Sequence, residues 1–314
     1  MKILFKTLVI IFLINFFYSC NNDDDGISSN TNTIVDVAVN NDLSSLVAAV
    51  TRADLAATLS GPGPFTVLAP TNDAFDAFLN SNNFSSLDDV PKELLTQVLL
   101  NHVIDGSLQS TDLSTGYATT KATSAASGGS MSIYINTNDG VKFNGVSSVA
   151  VANVAADNGT VHVIDNVIGL PTVVTFATAD PNFSILVQAL TREDSFSYVN
   201  TLSATSTPAP FTVFAPIDNA FVDLLAELDL NTLGDVPTAV LSSTLNTHVV
   251  AGANVLDTDL TDNMSISTLG GALTGNITGG ATLTDSKDRV SNIIATNVQA
   301  NNGVIHAIDK VLLE

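Results

Sequence analysis

Apolar residues follow a helical spacing in the part of the chain that comes after its N-terminal segment. In residues 42–50 they stand at positions 43, 46, 47 and 50, the i, i+3, i+4, i+7 pattern of an amphipathic helix, and Asp42 is placed to cap it. A further helix is expected to open at Pro91, a residue favoured at the first helical position, and to run to about residue 101. The pattern thus predicts helices early in the chain.

A short apolar run at residues 65–68 lies between these helices and ends just before Pro70, which predicts a buried strand. Thr71 follows, and it is a suitable N-cap for another helix. The residues of that helix expected to face the core are Ala74, Phe75 and Phe78.

The spacing then changes from helical to alternating, with Gly and Asn at the expected turns and a hairpin turn at residues 128–130. The predicted strands are residues 131–135, 141–143, 149–154 and 160–164. Because helices come early and strands late, this part of the chain predicts an α+β domain.

The chain contains the same unit twice. Residues 46–54 match residues 186–194 at six of nine positions, residues 65–75 match 211–221 at seven of eleven, and residues 159–168 match 303–312 at five of ten. Order and spacing persist, with offsets of 140, 146 and 144 residues. We therefore place one domain at residues 33–169 and a second at residues 170–314, joined near Leu170 and Pro171.

The repeated residues resemble the two signatures of fasciclin-like domains. The first is Phe-Thr-Val-(Leu/Phe)-Ala-Pro-x-x-x-Ala-Phe, and the second is Asn-Gly-x-(Val/Ile)-His-x-Ile-Asp near the end of each unit. The resemblance implies two tandem α+β domains, each a wedge-shaped β-sandwich packed with several helices, and a role in extracellular adhesion. The positions that carry the motifs are Phe65, Pro70, Phe75, His102, His162, Asp165, Phe211, Pro216, Phe221, His248, His306 and Asp309.

The charge balance narrows the possible partners. The chain has 31 acidic and 10 basic residues, a formal net charge of −21. Nucleic-acid affinity depends on Lys and Arg that neutralise phosphates, so we expect no nucleic-acid partner. Hydrophobic residues make up 45% of the chain and are spread along it, so each domain has enough of them for its own core. The acidic surface favours solubility outside the cell, and gathering of divalent cations is the alternative.

The N-terminal segment, residues 1–19, is typical of a signal peptide, with Lys2 and Lys6 before an apolar run. A transmembrane anchor is less well supported, because the run is shorter than the roughly 20 residues that cross a bilayer. Cys20, the single cysteine, follows directly and resembles the bacterial lipobox cysteine, although aromatic Phe17 and Tyr18 depart from that pattern; a free thiol is the alternative.

Residues 20–32 are polar and predict a flexible, lipidated tether. The acidic cluster at residues 23–25 resembles a signal for the outer face of the outer membrane, but a plain solvated linker explains it equally well. These features predict an extracytoplasmic protein, lipid-anchored to the bacterial outer membrane and exposed at the cell surface.

The four histidines occupy equivalent places in the two copies, which indicates a role that belongs to the fold. Metal ligation is the alternative, but within a copy the two histidines are 60 or 58 residues apart, and no cysteine or closely spaced histidine accompanies them. We predict half-buried histidines that hydrogen-bond to the backbone, and no metal or other cofactor.

Carboxylates give two further candidates. Asp165 and Asp309 end the last strand of each copy, where a carboxylate accepts backbone N–H groups and fixes a turn. Calcium binding is a hypothesis for Asp257, Asp259 and Asp262 and for the acidic cluster at residues 23–25. Neither set follows a calcium-loop spacing, since the Gly and terminal Glu of an EF-hand are missing.

Motifs of the common enzyme classes are absent, including Gly-x-Ser-x-Gly and His-Glu-x-x-His. Integrin binding is not carried over either, because the Asp-Ile motif of adhesive animal members reads Asn153-Val154 and Asn297-Val298 here. The family's Tyr-His pair reads Asn101-His102 and Thr247-His248.

The leading hypothesis is therefore a non-catalytic, surface-tethered adhesion or matrix-interaction protein whose ligand is an extracellular protein or polysaccharide. A glycan- or polymer-binding accessory module is the alternative, and a hydrolase is a weaker one.

Overall fold

A computed structural model describes residues 32–314. The predicted signal peptide, Cys20 and most of the tether lie outside the described residues. Within residues 32–314, no helix is long and apolar enough to cross a membrane.

The first copy begins with helices and ends with strands, as the spacing predicts. Its elements are α1 (Ile34–Asn40), α2 (Ser44–Arg52), α3 (Ala56–Leu59), β1 (Phe65–Pro70), α4 (Asn72–Ser81), α5 (Lys92–Leu100), β2 (Val103–Asp105), β3 (Gly116–Thr123), β4 (Ser130–Asn136), β5 (Lys142–Phe143), β6 (Ser147–Ala156) and β7 (Gly159–Ile164).

The second copy repeats this order. Its elements are α6 (Val173–Ala179), α7 (Ser184–Leu190), α8 (Tyr198–Leu202), β8 (Phe211–Pro216), α9 (Asp218–Glu227), α10 (Thr238–Thr247), β9 (Val249–Ala251), β10 (Met264–Ser267), β11 (Ala272–Asn276), β12 (Thr282–Thr284), β13 (Val290–Ala300) and β14 (Gly303–Ile308). The predicted α+β class and tandem duplication are confirmed.

In each copy the first strand lies parallel to the last one. β1 pairs with β7 from Phe65↔Gly159 to Pro70↔Ile164, and β8 pairs with β14 in the same register. The strands of the first domain close into a barrel in the order β1 to β7, whereas those of the second form a sheet in the order β10-β11-β12-β13-β14-β8-β9. The glycine of the second signature permits the close approach, because a Cβ at Gly159 would lie 2.0 Å from the Phe65 carbonyl oxygen.

The central strands bury both of their faces, so each domain has two apolar clusters. Along β1, Val67 and Ala69 pack with the helices, and Leu68 packs on the other side with β4, β5 and the end of β7. Phe214 takes the place of Leu68 in the second domain. Successive side chains of a strand point to opposite faces of the sheet. A strand that is buried on both faces therefore has consecutive apolar residues.

Several predicted helix boundaries are confirmed and one is wrong. The Thr71 side chain accepts a hydrogen bond from the Ala74 N–H (3.2 Å), and Pro91 precedes α5. Asp42 does not cap α2. It adopts a left-handed φ of 57° in the turn after α1, and Asn72 Oδ1 instead accepts the Ser45 N–H (2.9 Å).

Other differences concern residues at element edges. Phe78 was expected in the core, but it is only partly buried, unlike Ala74 and Phe75, because its side of α4 lines an open cleft. The predicted strands correspond to β4, β5, β6 and β7, with shifts of a few residues at their ends. β2 and β3 were not predicted, because one has three residues and the other is rich in threonine and alanine rather than large apolar residues.

The two domains meet where the β3–β4 hairpin of the first contacts β13 and α6 of the second. The Ser124 hydroxyl donates to the Ala300 carbonyl oxygen (2.6 Å), and the Gln299 backbone N–H donates to Ser132 Oγ (3.0 Å). Both Ser124 and Gln299 are buried. The contact is therefore a fixed junction of hydrogen bonds.

Two tyrosines of the hairpin complete this junction. The Tyr117 hydroxyl donates to Asp180 Oδ2 (3.0 Å), and its ring meets that of Phe176 edge-on at 5.6 Å. Tyr134, 1% exposed, belongs to the apolar cluster of the second domain. The other residues of the buried clusters separate by domain.

Candidate functional site

His102 and His248 make the same pair of bonds in their two domains. Nδ1 of each donates to a carbonyl oxygen four residues earlier, on Val98 or Thr244 (2.7 Å in both). Nε2 accepts a backbone N–H from the segment after the last strand, of Ile168 (2.9 Å) or Leu312 (3.0 Å). Each imidazole thus joins the last helix of its domain to the end of that domain.

Burial lowers the pKa of both histidines to about 4. The bond partners agree with this direction, because a proton on Nε2 would face another N–H group. At neutral pH both rings are uncharged, with the hydrogen on Nδ1.

His162 and His306 lie on the last strand of each domain. Nε2 donates to the carbonyl oxygen of Leu108 (3.0 Å) or Val255 (2.9 Å). Nδ1 of His162 accepts the Asn153 N–H (3.3 Å), whereas Nδ1 of His306 has no partner among the described residues. Burial lowers the pKa of both rings. All four histidines are 3% exposed or less, so they are more deeply buried than the half-buried state predicted from the sequence.

The aromatic and proline positions of the first signature end or cover β1 and β8. Phe75, Phe211 and Phe221 are buried, while Phe65 is partly buried and has Lys121 Nζ 5.4 Å from its ring centroid. Pro70 and Pro216 are the last residues of their strands.

Asp165 and Asp309 connect two strands rather than closing a local turn. Oδ1 of Asp165 accepts the Ser148 N–H (2.7 Å), and Oδ1 of Asp309 accepts the Asn292 N–H (2.7 Å). Each carboxylate therefore holds the start of β6 or β13 against the end of the neighbouring strand.

The asparagine of the second signature was missed as a site residue. Nδ2 of Asn158 donates to the carbonyl oxygens of Leu59 and Gly61 (both 2.8 Å), and its Oδ1 accepts the Ile34 N–H (2.9 Å). Asn302 makes the equivalent bonds in the second domain. Its presence before glycine in both copies was the signal that could have identified it.

Each of the three carboxylates considered for calcium binding in the second domain accepts a hydrogen bond from a different group. Asp257 accepts Asn297 Nδ2 (2.6 Å), and this bond is the main cause that lowers the pKa of Asp257. Asp259 accepts the Leu256 N–H (2.8 Å), and Asp262 accepts the Ile277 N–H (2.7 Å). Between residues 32 and 314, no group of three His, Cys, Asp or Glu side chains is placed to hold a metal ion.

The positions of the family's Asp-Ile and Tyr-His motifs also make contacts within the fold. Asn101 is buried, and its Nδ2 donates to the Gly169 carbonyl oxygen (3.0 Å). Asn153 is exposed, and its Oδ1 accepts the Ser110 N–H (2.7 Å).

These features define a class of protein: a duplicated α+β sandwich in which the repeated polar residues hold backbone segments together. The chain matches the Fasciclin domain family at residues 41–171 and 181–314, so it belongs to the fasciclin domain family.

Relatives include cyanobacterial and animal proteins. Protein sll1483 of Synechocystis sp. is 42% identical over 138 residues, which cover 43% of this chain and 72% of that protein. The transforming growth factor-beta-induced protein ig-h3 of Sus scrofa is 30% identical over 270 residues, 81% of this chain and 35% of the relative. The chain thus spans about a third of that longer protein.

The solved FAS1 domain pair of the insect cell adhesion molecule Fasciclin I superimposes with a TM-score of 0.51 and 22% sequence identity. The match covers 89% of this chain and 98% of the solved one. At this identity the likeness shows the fold.

Proposed function

We propose that this protein is a non-catalytic adhesion or matrix-interaction protein, held at the bacterial cell surface by a lipid on Cys20. The observation that carries the proposal is the pair of fasciclin domains, which together account for residues 41–171 and 181–314. A pair of the same domains forms part of an insect cell adhesion molecule. The ligand is an extracellular protein or polysaccharide.

The state of the histidines supports binding over catalysis. A general base needs a ring nitrogen within reach of the substrate and a pKa near the working pH. Here burial lowers the pKa of all four rings, and three of the four use both nitrogens on groups of the protein. Such rings stabilise the fold.

The tether sets how far the domains reach from the membrane. Asn32 is already bound to the first domain, because its backbone N–H donates to Asp157 Oδ2 (2.7 Å). From Cys20 to Asn32 an extended chain spans at most about 40 Å at ~3.3–3.6 Å per residue. The full chain has a formal net charge of −21, and without Lys2 and Lys6 of the signal peptide the balance is 8 − 31 = −23, which would keep the protein off an anionic headgroup surface.

The proposal is tested in a bacterium that exports lipoproteins and lacks this gene, complemented with the wild type or with Cys20→Ser. A clickable fatty-acid probe should label the wild type alone. Cells with the wild type should adhere to surfaces coated with matrix proteins or polysaccharides, and cells with Cys20→Ser should release the protein and lose adhesion.

Ser28→Ala in the tether is the matched control and should behave as the wild type does. Labelling that survives Cys20→Ser contradicts the lipid anchor. Adhesion that is equal with and without the gene contradicts the adhesive role.

A further inference from the structure

A cleft of about 700 Å³ lies at the junction of the two domains. The first domain contributes faces of α4 and α5 and the connecting residues 166–170. The second contributes Thr175, Thr205 and Asn301. Ligand sites of roughly 300–1,000 Å³ commonly lie where domains meet, so both size and position fit a binding site.

The lining of the cleft is uncharged. None of the described residues that line it is Asp, Glu, His, Lys or Arg, although the chain carries 41 residues of the Asp, Glu, Lys and Arg types. A charged ligand would enter this space without a counter-charge and would lose its hydration, which is costly. The lining therefore selects against ions of either sign.

Four side-chain amides supply hydrogen-bonding groups instead. Asn82 and Asn166 use their Nδ2 atoms on Phe78 O (2.8 Å) and Asp165 Oδ1 (3.1 Å), and within residues 32–314 their Oδ1 atoms accept no hydrogen bond. Asn301 of the second domain also lines the cleft.

Asn144 is the most deeply buried of the four amides. It is 3% exposed, its Oδ1 accepts the Tyr134 N–H (2.7 Å), and its Nδ2 has no partner among the described residues. A buried amide N–H without an acceptor is costly. Because this nitrogen is itself buried, it is not a group that a ligand in the cleft would contact.

Apolar side chains complete the lining. Phe78 is the aromatic residue among those that line the cleft, and Leu94, Val146 and Leu170 join it. Val146 is 55% exposed, so its apolar surface is open to a ligand. Amides that both donate and accept hydrogen bonds, next to an aromatic ring, suit a molecule with many hydroxyls and apolar C–H faces.

The walls are held in place without a ligand. Asn301 lines the cleft, and its Oδ1 and carbonyl oxygen accept the N–H groups of Ala125 (3.2 Å) and Ala126 (3.1 Å) in the first domain. Its own N–H donates to the Pro171 carbonyl oxygen (2.8 Å). A preformed cleft spares the ligand the cost of ordering its walls.

We infer that the cleft between the two domains binds a neutral oligosaccharide. The inference rests on the proposed binding function and supplies the chemical class of one ligand. Its orientation follows from the lining, with a sugar face on Phe78 and hydroxyls toward the exposed amides of Asn82 and Asn166.

Isothermal titration calorimetry on the mature chain with Cys20→Ser tests the inference. The neutral probes are the hexasaccharides of cellulose, laminarin, xylan, mannan and starch, and the acidic probes are hexagalacturonate and a heparin hexasaccharide. At least one neutral probe should bind and the acidic probes should not. Phe78→Ala should weaken that binding at least tenfold, and Thr205→Arg, which places a long charged side chain at the cleft, should abolish it.

Two variants serve as matched controls. Ser206→Arg adds the same charge to the next exposed residue of the loop, and Val222→Ala shortens an exposed side chain on α9; both should bind within twofold of the wild type. The inference is overturned if no neutral probe binds at millimolar concentration. It is also overturned if Phe78→Ala and Thr205→Arg both bind the probe as tightly as the wild type does. Cell adhesion is measured in parallel to separate the two proposals. If cells with Thr205→Arg still adhere and no protein, including the wild type, binds a sugar, then the proposed cleft ligand is contradicted and the adhesive function is not.

Discussion

Lowering the pH from 7 to about 4 should destabilise both domains through His102 and His248. In the folded state burial lowers the pKa of each ring to about 4, whereas an unfolded chain has histidines near 6.5. Between pH 6.5 and about 4, each of these histidines is therefore protonated in the unfolded state and not in the folded state. The free energy of unfolding falls as the pH falls. The stabilisation is complete above pH 6.5 and is lost progressively toward pH 4.

The magnitude follows from the gap between the two pKa values. Each pH unit of that gap is worth about 1.4 kcal/mol, so each histidine accounts for roughly 3 kcal/mol. His162 and His306 act in the same direction because burial lowers their pKa as well. The loss is large beside the total stability of an ordinary domain, about 5–15 kcal/mol.

Urea unfolding followed by circular dichroism at several pH values between 7 and 4.5 measures the slope, and the ring Cε1–H signals in NMR spectra give the pKa values directly. His102→Gln, which cannot titrate in this range, should lower the stability of the first domain at pH 7 and flatten its pH dependence. A stability that stays constant from pH 7 to 4.5, or ring signals that titrate near pH 6.5, would refute the reasoning.

Three further predictions concern the fold. Gly159→Ala should lower the free energy of unfolding by at least about 1–3 kcal/mol, since its Cβ would lie 2.0 Å from a carbonyl oxygen of the neighbouring strand; Gly129→Ala, in an open turn, is the thermal-unfolding control, and equal losses would contradict this cause. Asn302→Ala should cost about 1–3 kcal/mol in calorimetry of the second domain, because three backbone groups lose their partner; an unchanged melting point would show that water replaces the amide. Residues 33–169 alone should melt cooperatively but below the intact chain, because Tyr134 leaves an apolar cluster; a non-cooperative melt would mean that the domains share one core.

The elements that the sequence predicts best are those whose local chemistry agrees with their final place. Thr71 caps a helix because its side chain reaches the N–H of Ala74 in the same turn, and no distant residue is needed. Asp42 was assigned the same role on the same local grounds, but Asn72, nearly thirty residues later, reaches the start of that helix instead. Local pattern cannot reveal a cap that is supplied by another helix.

The repeated histidines were predicted to be structural because both copies have them, and their bonds to backbone groups have that character. Their partners could not be read from the sequence, since Ile168 and Leu312 contribute only backbone N–H groups, which any residue other than proline provides. The cleft was out of reach for another reason. Different surfaces of the two copies form the cleft, whereas comparing the repeated sequences identifies only the features that both copies share.

A last prediction concerns Tyr117→Ala, a substitution that weakens the junction of the two domains without changing a residue that lines the cleft. Tyr117 does not line it, but its hydroxyl and ring join the β3–β4 hairpin to Asp180 and Phe176 of the second domain. In Tyr117→Ala both domains should still fold, because their main clusters are separate, but their unfolding transitions should move apart and the affinity for the neutral oligosaccharide should fall. Tyr198→Ala is the control, since among residues 32–314 that hydroxyl bonds to Ser242 and Asn246 of its own domain. If Tyr117→Ala uncouples the two transitions and leaves the sugar affinity as it was, then a fixed junction is not what shapes the cleft.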